Sequence, residues 1–320
     1  MHGLRHKLLG NRLSAPLFDI AQYTRAYEAA LTQMWETWAN GHDPQGVAVP
    51  AAPPSRTLAA AEPSIKRRAY SACPLCESRD MSAVIGADCS RHPIYQPGLP
   101  SVMNWHLCGN CGHVFTEGYF DAGAAALVFA KTQPGQTVGY DMERQRPVSA
   151  RIIERVARHV REGRWLDVGF GNGSLLFTAE EWGYTPVGLD LRKDNVRALK
   201  GLGYEAYCQP IEELDHEARY SVISMADVLE HMPFPKTGLA AAHRMLRPDG
   251  LFFLSMPDMD NMSAAHANGV NPYWGEIEHY HNFSRKRLYA LLQNHGFKPA
   301  DYHISERYRV CMEVIAIKQG

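Results

Sequence analysis

From Arg164 onward, apolar residues arrive in short runs, and helix-like stretches lie between them. Trp165-Leu166-Asp167-Val168 reads as a strand, 174–182 as a helix, 185–190 as a second strand, 192–202 as a helix and 204–208 as a third strand. Tyr220–Met232 reads as the fourth strand and its exit, Leu251–Pro257 as the fifth strand, 286–295 as a helix, and Val310–Lys318 closes the pattern as a strand. Such alternation predicts an α/β fold, a doubly wound parallel sheet with helices on both faces. Ahead of it, Val148, Ile152, Val156 and Val160 recur every four residues and predict an amphipathic helix leading into the first strand. An alanine-rich helix is expected over 120–131.

The first third of the chain reads differently. Residues 4–39 look helical and are broken at Pro16, with Leu8, Leu9, Leu17, Phe18, Tyr27, Leu31, Met34, Trp35 and Trp38 as candidate buried positions. Residues 41–64 carry five prolines among alanines and small polar residues without apolar periodicity, the pattern of an extended linker. The predicted organisation is a helical segment at 1–40, a linker at 41–66, a cysteine-bearing ribbon at 67–119 and an α/β domain at 120–320.

Composition narrows the function classes. Hydrophobic content of 45% and charged content of 21% are ordinary for a globular protein. A net charge of −1 leaves no broad basic surface, which makes nucleic acid an unlikely partner. No apolar run is long enough to span a membrane, and Met1–Lys7 lacks the apolar core of a signal peptide. Seven cysteines, four of them in Cys-x-x-Cys pairs, suit a cytoplasmic location and a metal better than disulfides.

Cys73-Pro74-Leu75-Cys76 is answered by Cys108-Gly109-Asn110-Cys111. Two such knuckles supply four sulfurs, the tetrahedral shell that zinc prefers at about 2.3 Å per bond. Four protein ligands leave no position for a catalytic water, so the expected zinc is structural. A redox dithiol, the other reading of Cys-x-x-Cys, needs only one pair. The long interval between the pairs predicts a strand-rich insert such as Arg91–Met103, and Cys89, Cys208 and Cys311 read as core residues.

The chemistry centres on Leu166–Leu176. After the Trp165–Val168 strand, Gly169, Gly171 and Gly173 stand at alternate positions and Ser174 opens a helix. Glycine admits positive φ and lets a ligand lie against bare backbone, with the helix N–H groups facing it. The spacing is G-x-G-x-G rather than the dinucleotide G-x-G-x-x-G. Asp167 would repel pyrophosphate but suits a cationic amino-acid moiety, and Asp190 ends the second strand where a ribose diol would be gripped.

Asp167-x-Gly169-x-Gly171-x-Gly173 together with Asp190 closely resembles the class I S-adenosylmethionine-dependent methyltransferases. The resemblance implies S-adenosylmethionine as cofactor and a seven-stranded, mostly parallel sheet with a last antiparallel strand. It further implies Ile211 as the adenine platform, and Tyr140 and Asp227 as cofactor contacts. Asp227-Val228-Leu229-Glu230-His231 is similar to the segment found here in small-molecule and sugar methyltransferases. Some O-methyltransferases hold a divalent ion with Glu-x-x-Glu-His at this place. The first acid here is the shorter Asp227, and the other reading has Glu230 and His231 capping and packing the next helix. The Asn/Asp-Pro-Pro-aromatic segment of base-amino methyltransferases is missing at this position. Asn271-Pro272-Tyr273-Trp274 looks like it but falls after the fifth strand, and is set aside.

Glu278-His279-Tyr280-His281-Asn282-Phe283-Ser284-Arg285, with Gly296-Phe297, resembles a stretch of zinc-ribbon-bearing sugar C-methyltransferases. The resemblance implies His279 as general base, Glu278 orienting it, His281 as the alternate base and His231 as a third catalytic candidate. Imidazole, titrating near neutrality, suits that role. Glu276 stands where that family carries a tyrosine. Residues 14–19 and 23–35 resemble the C-terminal helix of bacterial O-GlcNAc-transferase-like glycosyltransferases, which implies a glycosyltransferase partner through residues 1–40. The implied function is methyl transfer to carbon or oxygen of a small-molecule or saccharide acceptor, nucleotide sugars and glycans first. The alternatives are an RNA methyltransferase gripping RNA with the ribbon, and a non-catalytic cofactor-binding module of a glycosylation complex.

Overall fold

The computed structural model describes residues 20–49, 65–90, 92–96, 98–129, 134–261, 272–308 and 310–320. It separates into a unit built from residues 1–64 and 97–99 and a unit built from the rest of the chain. In the first, α1 spans Ile20–Ala39 and residues 42–49 form no regular element. The helical period is as expected, but the burial is not. Tyr23, Tyr27, Leu31, Met34, Trp35 and Trp38 are 48–75% exposed. They form one stripe along the helix, and a lone helix has no second apolar surface of its own to cover such a stripe. Leu8, Leu9, Leu17, Phe18 and the break at Pro16 lie outside the described residues.

The second unit begins with β1 (Arg68–Ala69), β2 (Met81–Asp88), β3 (Val102–Cys108), β4 (Val114–Thr116) and β5 (Gly118–Tyr119). Next come α2 (Ala122–Phe129), α3 (Met142–Ala157), β6 (Gly163–Val168), α4 (Ser174–Glu181), β7 (Tyr184–Leu189), α5 (Lys193–Gly201) and β8 (Glu205–Tyr207). The remainder is β9 (Tyr220–Ala226), α6 (Pro235–Met245), β10 (Leu246–Pro257), β11 (His281–Asn282), α7 (Arg285–Asn294), β12 (Phe297–Ile304) and β13 (Cys311–Lys318). Seven of these strands make one sheet in the order β12-β13-β10-β9-β6-β7-β8. Only β13 runs against its neighbours. This is the Rossmann-like, doubly wound α/β sheet expected. Its central strands are apolar almost without a break because helices cover both faces. Leu166, Val187, Ile223, Met225, Phe252 and Leu254 are all buried in one cluster between the layers. Ile152, Val156 and Val160 of the predicted amphipathic stripe pack on the other face beside Trp165.

The interval between the cysteine pairs departs from expectation. Its strands are β2 and β3, while the described residues of 89–101 form turns and bends. Pro93 and Pro100 cannot donate to a ladder, so no strand runs through these two positions. The resulting four-stranded sheet has the order β11-β4-β3-β2. Its edge strand comes from far downstream, with His281 opposite Phe115 and Asn282 opposite Val114. The ribbon and the α/β layers thus share a sheet. Among the described residues, no helix is long and apolar enough to cross a membrane.

Candidate active site

The glycine turn lies at the carboxyl edge of the sheet, after β6. Gly169, Gly171 and Gly173 all have positive φ (68°, 54° and 80°). At Gly169 a Cβ would also come within 2.7 Å of Val228, so two separate constraints demand glycine there. Asp167 is 3% exposed and accepts a 2.6 Å hydrogen bond from Ser224, whose own oxygen accepts from the Trp165 indole N–H at 2.8 Å. Burial pushes the Asp167 carboxyl up to about 7, against the opposing pull of the Ser224 bond and the charge of Arg307.

Neighbouring residues fasten this turn to the segment before α3. Asn172 donates from Nδ2 to the Tyr140 carbonyl at 3.0 Å, and its own carbonyl accepts from Gly139. Tyr140 is therefore beside the turn, half-exposed. Asn195 donates to both the Gln136 and Gly171 carbonyls. Asp190 ends β7 as expected, but Arg192 already grips it in a fork, Nε to Oδ1 at 2.9 Å and Nη2 to Oδ2 at 2.7 Å. The Arg192 backbone N–H adds a third bond, to Oδ1 at 2.8 Å, so of a carboxylate's about four acceptor positions one, on Oδ2, is left for a hydroxyl. Ile211 sits in a short 3-10 turn after β8 and is packed into the core. Cys89 and Cys311 are core residues, whereas Cys208 is exposed, contrary to expectation, because it follows the short edge strand β8.

Across the edge, β9 ends in Asp227, a non-glycine residue at φ 57°, whose carboxylate accepts from Ser255 at 3.1 Å. Burial raises its pKa. Three residues on, Glu230 is completely buried and neither carboxylate oxygen has a partner among the described residues. Burial first, and then the charge of Asp227, raise its pKa far above the usual range. Glu230 does not cap or pack as a satisfied polar group. Its backbone carbonyl, by contrast, accepts from Tyr280 N–H at 2.8 Å, which draws the His279 segment onto it.

One ligand atom each from Glu230, His231 and His279 lie within 4.8 Å of one another. The two rings meet edge to face at 4.6 Å. His279 is buried with Nδ1 unpartnered among the described residues, and burial reinforced by His231, His92 and His281 keeps it neutral. Among the described residues no hydrogen bond joins the Glu278 carboxylate to His279 Nδ1. Instead the Glu278 backbone carbonyl accepts from His231 Nδ1 at 3.2 Å. Glu276 does not take the place of a tyrosine either, since it accepts from His92 at 2.6 Å. The aromatic ring stacked on His279 is Tyr273, at 6.0 Å and 10°, within the very segment that its sequence position had set aside. The alternate base, His281, is excluded by its bonds. Its Nε2 donates to the Met232 carbonyl at 2.9 Å, leaving Nδ1 to accept from His113 at 3.0 Å, and burial lowers it to about 4.

The four ribbon thiols converge. Cys73 and Cys111 sulfurs are 3.7 Å apart and those of Cys76 and Cys108 are 3.5 Å apart. A tetrahedron with bonds of about 2.3 Å has edges of about 3.8 Å, so the four sulfurs fit zinc closely.

The methyltransferase-domain family profile matches residues 140–301. Ubiquinone biosynthesis O-methyltransferase of Bordetella avium is 28% identical over 117 residues, covering 34% of this chain and 48% of that protein. Its Salmonella paratyphi A counterpart is 35% identical over 98 residues, covering 28% and 40%. The chain therefore spans less than half the length of these curated relatives. Among solved structures, Burkholderia thailandensis 1,6-didemethyltoxoflavin-N1-methyltransferase with bound 1,6-didemethyltoxoflavin and S-adenosylhomocysteine superposes with a TM-score of 0.48. Identity is 24%, with 66% of this chain and 98% of that chain covered. Magnesium protoporphyrin IX methyltransferase from Synechocystis gives a TM-score of 0.42 at 17% identity, with 55% and 80% covered.

Proposed function

The chain belongs to the methyltransferase-domain family, and from that premise we propose that it transfers the methyl group of S-adenosylmethionine to a hydroxyl oxygen of a small-molecule acceptor. One observation carries the reading: the Asp167–glycine turn and the Glu230–His231–His279 cluster stand on the same carboxyl edge, at the ends of adjacent strands β6 and β9. Relatives named as O-methyltransferases support oxygen as the methylated atom. Resemblance of the Glu278–Arg285 segment to sugar methyltransferases supports saccharides as the first acceptor class to test.

The cofactor, when bound, supplies an electrophilic methyl on a sulfonium. The chain's residues bind, orient and deprotonate. Asp167 receives the ammonium of the methionine moiety, Asp190 a ribose hydroxyl beside Arg192, and Ile211 and Tyr140 flank the adenosine. His279 takes the acceptor proton at its unpartnered Nδ1 as the oxygen bonds to the methyl. Cys73, Cys76, Cys108 and Cys111 would hold a structural zinc, which would secure the ribbon and through β11 the His279 segment. The exposed aromatic face of α1 supports a protein partner for residues 1–40, with a glycosyltransferase named by the sequence resemblance.

A second reading of the same cluster is favoured by the orphaned Glu230 carboxylate: Glu230, His231 and His279 together hold a divalent cation. Two imidazoles and a carboxylate leave open positions for acceptor oxygens, which the cation would acidify.

The test is methyl transfer from labelled S-adenosylmethionine to nucleotide sugars, glycans, phenols and RNA. Label is expected on a hydroxyl compound, and label confined to RNA would overturn the acceptor class. Cofactor binding should also depend on pH. The free protein holds Asp167 protonated below about 7, while the bound ammonium needs the carboxylate. Binding must then release a proton on the acid side. Affinity for S-adenosylhomocysteine should rise up to about tenfold per pH unit toward 7 and level off above it. Calorimetry in buffers of different ionisation enthalpy reads this directly, and a flat profile between pH 5.5 and 7.5 would remove the ammonium from Asp167.

A further inference from the structure

We propose that Arg307, on the hairpin joining β12 to β13, receives the carboxylate of the cofactor's methionine moiety, completing a slot for a zwitterion whose ammonium end is Asp167. This rests on the S-adenosylmethionine reading above and adds a residue that no glycine-turn motif points to.

The hairpin is built to hold a side chain in place. Ser305 is buried, and its N–H donates to the Cys311 carbonyl while Cys311 N–H donates to Tyr308. The Ser305 hydroxyl accepts from Arg307 N–H at 3.1 Å and from Tyr308 N–H at 3.3 Å. β13 begins at Cys311, opposite Pro257 at the carboxyl end of β10, and the next strand over, β9, ends in Asp227. The turn therefore projects over the same edge as the glycine turn.

From there the Arg307 charge acts on both Asp167 and Asp227. It nevertheless makes no ion pair with either: among the described residues, no carboxylate comes within 4 Å of it. Among the described residues its Nε is buried without a hydrogen-bond partner. A guanidinium whose charge reaches two buried carboxylates without pairing with either is poorly explained as a salt bridge. It is well explained as one end of a site for a ligand that carries both charges. Arginine suits that end because its fork matches a carboxylate in two parallel bonds. Asp227, which follows β9 beside the β6 strand that carries Asp167, is held at positive φ, the kind of strained conformation that persists at ligand sites.

The experiment is a two-by-two comparison by calorimetry. Wild type and Arg307→Met are titrated with S-adenosylmethionine and with decarboxylated S-adenosylmethionine, which keeps the sulfonium and the ammonium. Arg307→Met is expected to weaken S-adenosylmethionine by roughly 10–100-fold, the usual worth of a charge-assisted pair, and to leave the decarboxylated compound unchanged or tighter. Arg307→Lys should fall between, since it restores the charge without the fork. Equal losses for both ligands would mean that Arg307 only shapes the turn, and no loss for either would mean that it touches neither. Both results overturn the proposal. Wild type that binds neither ligand would overturn the cofactor reading itself, a separate outcome.

Discussion

A Cys108→Ser substitution is expected to release the zinc, destabilise residues 65–119 and remove most methyl transfer, while S-adenosylhomocysteine binding stays within about twofold. Structural zinc contributes on the order of 10 kcal/mol to small metal-dependent folds, and removing one of four thiolates forfeits much of it. Tyr70 and Phe115 are buried in one cluster with Cys73 and Cys108, so the thiolates that would hold the metal are part of the core it would secure. The consequence for activity follows from β11. His281 and Asn282 pair with β4, and Thr116 N–H donates to the Tyr280 carbonyl, so the ribbon sheet sets where His279 stands. The glycine turn is fastened by Asn172 and Asn195 to the segment before α3 and to α5, outside that sheet. Zinc content by mass spectrometry, a calorimetric melt and paired binding and turnover assays check it. Wild type without zinc, or a variant that melts and turns over as wild type does, would discard the structural zinc and the coupling together.

How much of this was legible in sequence depends on the range of the interaction. Asp167, the three glycines and Asp190 were readable because strand, turn and helix are contiguous, and each residue type answers a local demand. The amphipathic run through Ile152 and Val156 was readable for the same reason. What escaped was contact at a distance. β11 is two residues long, too short to carry any periodicity, yet it joins the cysteine-bearing sheet to the segment that carries His279. Tyr273 was set aside because its motif stood after the wrong strand, although the fold stacks its ring on His279. The Arg192 fork on Asp190 and the His92 bond to Glu276 depend on side-chain direction, which spacing does not encode. On α1 the period was correct and the burial wrong, since an apolar stripe says which face wants a partner and not whether one is there.

Glu230 should separate stability from activity. Replacing it with leucine is expected to raise the melting temperature, by an amount equivalent to about 1–3 kcal/mol, and to lower kcat at least 100-fold. The first effect follows from burial. A carboxyl with no exposure and, among the described residues, no side-chain partner for either oxygen carries a desolvation cost, and an apolar side chain of similar volume removes it. The second follows from position, because the same oxygens lie with His231 and His279 on the edge that receives the methyl group. A residue retained for packing would lose both properties or neither; only a functional group makes a protein less stable by its presence and more active. His279→Ala should match the loss of kcat, since the base reading and the cation reading both require that imidazole. A chelator separates the two readings. If activity of the dialysed wild type disappears with EDTA and returns with Mg²⁺ or Mn²⁺, while the Glu230→Leu and His279→Ala proteins stay inactive, the cluster holds a cation. If EDTA changes nothing while His279→Ala is inactive, His279 is the base and Glu230 tunes its field. A Glu230→Leu protein that is both less stable and fully active would remove the cluster from the chemistry altogether, and His279 would then stand as one more buried histidine beside His113 and His281.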